Sequence, residues 1–387
     1  MVLHLSLNDR AMSLHIMSRG LGSKERAILA ALEAKDGRVS TRTLIEAVGT
    51  QGFYRSLNSL LKKGLISWIK EHGGPNCPSG LVSVTRKNIL LVDIDSTIAN
   101  LALMKISAYH KALGHNVFLH RGLTIPRTLE KPEMVYISCI FVKNRAAARR
   151  LAKQFPESEV HLGGCGINLS TTLPEDIEHL MPDYDLYPEC DYSLGYCSRG
   201  CLRNCGFCIA PRKEGKVHPV ADIYEFYNPK FKKMVLLDNN ILALPDHFRK
   251  IAKQIISEKI RAEFKQGLDI RLVDDKNAKL LKQMRILEPK FSWDDVNDEY
   301  MVMRGIEILR RNGINRSMFY VLIGYSSTFQ QDLYRLNRLR DLGQRAFVMI
   351  YDREILKDPR YASMRSWANP QKFFPKCTYE EFVANSA

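Results

Sequence analysis

The sequence predicts an α/β protein, and three observations lead to that class. Residues 187–387 alternate six strand-like runs with helical stretches, the pattern of a partial (β/α)6 barrel. Residues 89–186 carry a shorter alternation of the same kind, which implies a parallel, doubly wound sheet. Residues 1–88 read differently, as three short helices followed by a hairpin. A chain of 387 residues is long enough for two or three such domains.

In the barrel-like part, the expected strands are 191–196, 233–239, 262–268, 288–293, 318–324 and 346–352, with helices at 245–258, 275–284, 297–312 and 328–341. A barrel of this kind works at the carboxyl ends of its strands. In the middle part, NILLVDID is a buried-strand run, MVYISCIF a second apolar strand and EVHLGG a third strand. Between and after them, Ala99–Leu113, the stretch KNRAAARRLAKQF and the short TLPEDIEHLM read as helices. The carboxyl ends of these strands, where such sheets bind ligands, are Asp93–Asp95, Cys139–Phe141 and Gly163–Gly166.

In the first part, a helix over Lys24–Lys35 places Ile28, Leu29 and Leu32 at helical spacing. Ser40 or Thr41 caps a second helix, TRTLIEAV. A third follows Gly49, with Phe53, Leu57, Leu60 and Leu61 on one face and Gly64 as its terminator. The runs LISWI and GLVSV, joined by EHGGPNCPS, form a hairpin. This order resembles winged helix-turn-helix domains, and Arg55, Lys62 and Lys63 on the third helix are then candidates to face phosphates. Docking onto another protein is the alternative use of such a domain.

Composition narrows the class. Hydrophobic residues make up 45% and charged residues 26%, as in ordinary globular proteins. No stretch nears the roughly 18 continuous apolar residues of a membrane helix. The opening MVLHLSLNDRAMSLHIMSRG does not have the form of a signal peptide, so a cytoplasmic protein without a membrane partner is expected. The net charge of +15 favours a polyanionic partner. Residues 1–88 hold 13 Lys+Arg against 6 Asp+Glu, nearly half of that excess in under a quarter of the chain.

The chemistry concentrates in the cysteines. Of nine, four fall in one twelve-residue window: Cys197, Cys201, Cys205 and Cys208. In a large chain without a signal peptide, clustered cysteines read as metal or redox groups. Cys201, Cys205 and Cys208 have the spacing C-x3-C-x2-C on the loop after the first barrel strand. Thiolates are soft ligands suited to iron–sulfur clusters. Zinc fits less well, because the triplet has no second cysteine pair and His218 stands ten residues on. Cys197 reads as a strand-end residue, with a fourth-ligand role as its alternative.

The string Gly195–Cys208, with Phe207 before the last cysteine, resembles the signature of the radical SAM superfamily. The resemblance implies a 4Fe–4S cluster on Cys201, Cys205 and Cys208 whose open iron chelates S-adenosylmethionine. Reductive cleavage of that molecule would give a 5′-deoxyadenosyl radical. It also implies cofactor contacts at Asp238, Asn239 and Asn240 after the second strand, at Gln266, Asp269 and Arg271 after the third, and at Phe207. The stretch Ile323–Thr328 resembles the family's fifth-strand region but lacks its usual proline and glutamate. A flavodoxin- or ferredoxin-type electron donor is implied as well. Arg199, Arg203, Arg212, Lys213 and Lys216 around the cysteines would draw it, or an acidic substrate.

Residues 89–186 resemble the Rossmann-like domain that precedes the barrel in cobalamin-dependent members, through the opening strand, the G-H-x-V after the first helix and the L-G-G near the end. The D-x-H-x-x-G motif of histidine-ligated cobalamin is absent, and a ligand-free domain is preferred to bound cobalamin because a fold alone does not carry a function. The sequence names no substrate and no catalytic acid, base or radical relay. Modification of nucleic acid, cobalamin-assisted methyl transfer and a DNA-binding cluster that senses redox state without turnover all stay open.

Overall fold

The structure is a computed structural model that describes residues 22–34, 38–62, 66–68, 81–84, 86–125, 131–286 and 288–385. The chain divides into two compact units, Met1–Cys190 and Asp191–Ala387. Among the described residues no helix is long and apolar enough to cross a membrane.

The first unit opens with α1 (Ser23–Glu33), β1 (Arg38–Ser40), α2 (Thr41–Val48), α3 (Phe53–Lys62), β2 (Ile66–Trp68) and β3 (Leu81–Val84). The helices form because their apolar residues recur on one face. Ile28, Leu29 and Leu32 of α1 pack with Leu44 of α2 and Phe53, Leu57 and Leu60 of α3 in one small core. The three strands pair antiparallel in the order β1-β3-β2. Lys63, Gly64 and the connection EHGGPNCPS lie outside the described residues, as do the side chains of Leu61 and Lys62.

A four-stranded parallel sheet follows, built from β4 (Asn88–Asp93), β5 (Asn116–Arg121), β6 (Met134–Ser138) and β7 (Glu159–Gly163) in the order β5-β4-β6-β7. It is Rossmann-like, with helices α4 (Leu101–Ala112), α5 (Arg145–Ala152) and the single turn α6 (Glu175–Glu178). Central β4 is apolar on both faces, and Ile89–Val92 are fully buried. Asn100 caps α4, its Oδ1 accepting from the Leu103 amide at 3.2 Å, while its Nδ2 donates to Ser138 Oγ at 2.8 Å across the strand end. Strand β5 is an element that periodicity passes over. It is an edge strand, and its run NVFLHR has only three apolar residues, set between polar ends.

The second unit holds β8 (Ser193–Gly195), β9 (Ser198–Arg199), α7 (Ala210–Glu214), β10 (His218–Pro219), β11 (Lys233–Leu236), α8 (Pro245–Ser257), β12 (Arg261–Phe264), α9 (Asp275–Gln283), β13 (Lys290–Ser292), α10 (Glu299–Arg311), β14 (Met318–Ile323), α11 (Phe329–Asp341), β15 (Arg345–Ile350), α12 (Pro359–Ala368) and α13 (Tyr379–Ala384). The six long-range strands form two parallel sheets, β8-β11-β12 and β13-β14-β15, and a parallel bridge at Leu268–Phe291 links the two. All six expected strands are present, each shorter than the range marked from the sequence. The sequence did not mark the terminal helices α12 and α13. They seal the core with Tyr361, Met364, Trp367 and Tyr379. Local signals set the helix starts: proline in the first turn of α8 and α12, and capping boxes at Asp274–Asn277, Thr328–Gln331 and Thr378–Glu381.

Candidate functional site

Strand β8 ends at Gly195, and the chain enters the cysteine loop at once. Asp238, just past β11, holds the entrance. Its buried carboxylate accepts from the Ser198 amide and hydroxyl, both at 2.6 Å, and from the Cys197 amide at 3.2 Å. Burial pushes its pKa up, against these three bonds. Asn239 Oδ1 accepts from the Gly200 amide at 3.2 Å. Gly200 has φ +80°, and a Cβ there would stand 2.4 Å from the Lys216 carbonyl oxygen, so no side chain fits. The antiparallel pair β9–β10 closes the base of the loop.

Cys201, Cys205 and Cys208 stand on this base, all partly exposed. The Arg203 amide donates to Cys201 Sγ at 3.3 Å and the Ala210 amide to Cys208 Sγ at 3.4 Å. A third donor, Asn240 Nδ2, reaches Cys201 Sγ at 3.5 Å. Burial pushes the Cys205 thiol up, Cys208 and Cys201 push the same way, and Arg271 opposes them. Groups influence one another in this manner only when they are close. Cys197 is separate: it is fully buried in the core of the unit, and burial holds its thiol well above the usual range.

Beside the thiols lies an ion-pair network. Asp269 Oδ2 receives Arg203 Nε at 3.0 Å, and Asp269 Oδ1 receives Arg271 Nε at 2.7 Å. Arg271 continues to Asp298 at 2.6 Å. Burial acts to raise the Asp269 pKa, but the bonds and charges of Arg271 and Arg203 bring it below the ordinary value. Asn240 Nδ2 also donates to Asp269 Oδ2 at 3.3 Å, while Asn240 Oδ1 is buried with no partner. A buried acceptor left open beside a cysteine sulfur is the exception in folded proteins.

The structure thus sorts the residues singled out from the sequence. Cys201, Cys205, Cys208, Asn240, Asp269 and Arg271 come together. Asp238 and Asn239 bond the loop itself: the Asp238 carboxylate accepts from Cys197 and Ser198, and Asn239 Oδ1 accepts from Gly200. Gln266 is exposed and outside the network. Phe207 packs edge-on to Tyr325 with ring centroids 5.5 Å apart, and Tyr325 meets Tyr351 at 4.8 Å. Gly206 lacks a Cβ where one would lie 2.5 Å from the Tyr325 hydroxyl.

Three basic residues of the loop are paired within the chain, Arg199 and Lys213 with Glu214 at 3.1 and 3.9 Å and Arg203 with Asp269. Arg212 and Lys216 stay exposed. Sequence reasoning missed the fully buried pair Asp332–Arg335 under the fifth-strand turn. There Asp332 Oδ2 accepts from the Gly324 amide at 3.0 Å, and Arg335 Nη1 donates to the Trp293 carbonyl at 2.5 Å. The available signal was two opposite charges three residues apart on the same side of α11 as Leu336 and Leu339.

Among the described residues, no three His, Cys, Asp or Glu side chains gather as a single metal ion requires. A 4Fe–4S cluster asks something different, because each thiolate binds its own iron. The donor set here fits that demand: three soft sulfurs on one loop, two of them receiving N–H groups of the kind that tune cluster sulfur. No family model matches the chain, and no curated protein matches it.

Proposed function

We propose that the chain is a radical SAM enzyme in which Cys201, Cys205 and Cys208 hold a 4Fe–4S cluster. One observation carries the reading: three partly exposed thiols in C-x3-C-x2-C order, on the loop that follows the first of six parallel strands. Active sites of such α/β layouts lie at the carboxyl ends of the strands. On this reading the two linked sheets are a partial barrel, and residues 1–88 are a winged helix whose positive charge suits nucleic acid.

When bound, the cluster supplies the electron that cleaves S-adenosylmethionine to methionine and a 5′-deoxyadenosyl radical. The chain's own residues hold and shield. Asp238 and Asn239 fix the loop, while Asp269, Arg203 and Arg271 lock its far side to the turn after β12. Asn240 Oδ1 offers the free acceptor that an ammonium group next to Cys201 needs. Arg212 and Lys216 give the loop an exposed positive edge for an acidic electron donor of the flavodoxin or ferredoxin type.

The test is anaerobic reconstitution with iron and sulfide, reduction with S-adenosylmethionine present, and chromatography for 5′-deoxyadenosine. The product is expected from the wild type and absent from Cys205→Ala. A triple Cys201→Ala, Cys205→Ala, Cys208→Ala protein that still carried a full cluster would end the proposal.

A further inference from the structure

The second unit has a concavity of about 840 Å³ at the end of its strands remote from the cysteine loop. Its lining includes Lys233 and Arg261, the first residues of β11 and β12, whereas the loop follows the last residue of the parallel neighbour β8. The floor is aliphatic, with Leu281, Pro289 and Ile314 buried beneath it. The walls are cationic: Lys232, Lys259, Arg261, Arg285 and Arg316 all line it, and none has a carboxylate partner among the described residues. Two further cations are tied down, Lys233 to Glu263 at 3.0 Å and Lys282 to the Gly313 carbonyl at 2.7 Å. The only acid in the lining is Asp191.

Three helices, α8, α9 and α10, end here, and their carbonyl dipoles account for part of this charge. They do not account for where it is placed. Lys259 and Arg285, which follow α8 and α9, have φ 55° and 53°, the only positive values at non-glycine residues among those described. The corresponding sites after α4, α10 and α11 hold Gly114, Gly313 and Gly343. Glycine is the relaxed residue in that conformation, and strained side chains cluster where a ligand needs them. The strain at Lys259 and Arg285 therefore keeps two cations on this rim.

We propose that this basin binds a compact anion carrying several phosphate groups. Its volume is that of a small-molecule site. A row of unneutralised cations suits linked phosphates, whose charge one cation could not match. The lining has no aromatic ring, so it lacks the stacking platform that single-stranded nucleic acid uses.

The experiment is calorimetric titration of the full chain with inorganic tripolyphosphate, compared with orthophosphate. Saturable binding of tripolyphosphate is expected, at least about tenfold tighter than orthophosphate. The Lys259→Gly/Arg285→Gly double variant removes charge while relieving the backbone. It is expected to melt no lower than the wild type and to bind tripolyphosphate at least about tenfold more weakly. Arg261→Gln/Arg316→Gln, away from the strained positions, is expected to weaken binding likewise. Binding unchanged by both pairs of substitutions would overturn the proposal. So would duplex RNA that binds through these residues and is not displaced by millimolar tripolyphosphate.

Discussion

Each unit contains a parallel sheet, and the two treat the carboxyl ends of their strands differently. In the first unit the chain fills the space itself. Asp95 accepts from the Ile140 amide at 2.7 Å, the Phe141 amide at 3.1 Å and Asn144 Nδ2 at 2.9 Å. Gly164 and Gly166 sit so close that a Cβ on either would meet the Cys139 carbonyl oxygen, at 2.4 Å and 2.8 Å. In the second unit the equivalent place keeps three partly exposed thiols and an unpartnered amide oxygen. A strand end whose polar groups satisfy one another is finished as a structure, whereas one that keeps open donors and acceptors is prepared for something else.

The largest expected effect sets the two cysteine environments against each other. Cys205→Ala should remove nearly all reconstituted iron and all 5′-deoxyadenosine. Cys139→Ala, at the closed end, should leave both unchanged. Iron content by absorption and metal analysis decides it, and an equal loss in both variants would break the comparison. Next come the two organising carboxylates. Asp238→Asn presents an amide to groups that are themselves donors, and the damage to a charge-assisted buried bond is worth about 1.5–3 kcal/mol. Lower thermal stability and poor cluster loading should appear together. Asp95→Asn should cost comparable stability in the first unit and leave loading intact.

How much of this was legible depended on the physics that sets each feature. The cysteine loop could be read because ligand spacing is local: three thiols within eight residues need no tertiary information. Strands β11 and β14 could be read because parallel strands buried on both faces are near-continuous apolar runs. Strand β5 could not, since its run NVFLHR is three apolar residues set between polar ones. The duty of Asp238 was likewise hidden. Its position after the second strand was clear, but its partners Cys197 and Ser198 lie about forty residues away in sequence, and only the fold brings them to its carboxylate. Lys259 and Arg285 look like ordinary helix-terminal cations until their backbone angles are known.

The third prediction tests the open acceptor. If Asn240 Oδ1 receives an ammonium hydrogen bond, Asn240→Leu should weaken binding of S-adenosylmethionine about tenfold, or about 1.4 kcal/mol, while the three thiols still load iron. Equilibrium binding to the reconstituted protein measures it. Unchanged affinity would mean that the orphaned oxygen is a packing defect, and it would remove one of the two features that set this strand end apart.

The smallest effect concerns two buried orphans of the first unit, one on α4 and one just after it. His110 and His115 are buried and stacked with centroids 5.5 Å apart, and the Nδ1 of each has no partner. His110 Nε2 lies 3.0 Å from the Tyr136 hydroxyl, and the Tyr109 ring packs edge-on against the imidazole. Burial first, then His115, Lys87 and His161, lower the His110 pKa to about 3. Folded His110 therefore stays neutral through mild acid, while the unfolded chain takes up a proton near 6.5. Its contribution to stability is complete above about pH 6.5 and is lost as the pH falls towards 3. By pH 5.5 the loss should be about 1 kcal/mol, allowing for the solvent that still reaches the ring. His110→Phe should flatten this part of the pH dependence in thermal unfolding, and Arg212→Ala, on the cysteine loop, should not. A flattened curve would mark the buried imidazole of His110 as a matter of stability, and an unchanged one would place this part of the pH dependence elsewhere in the chain.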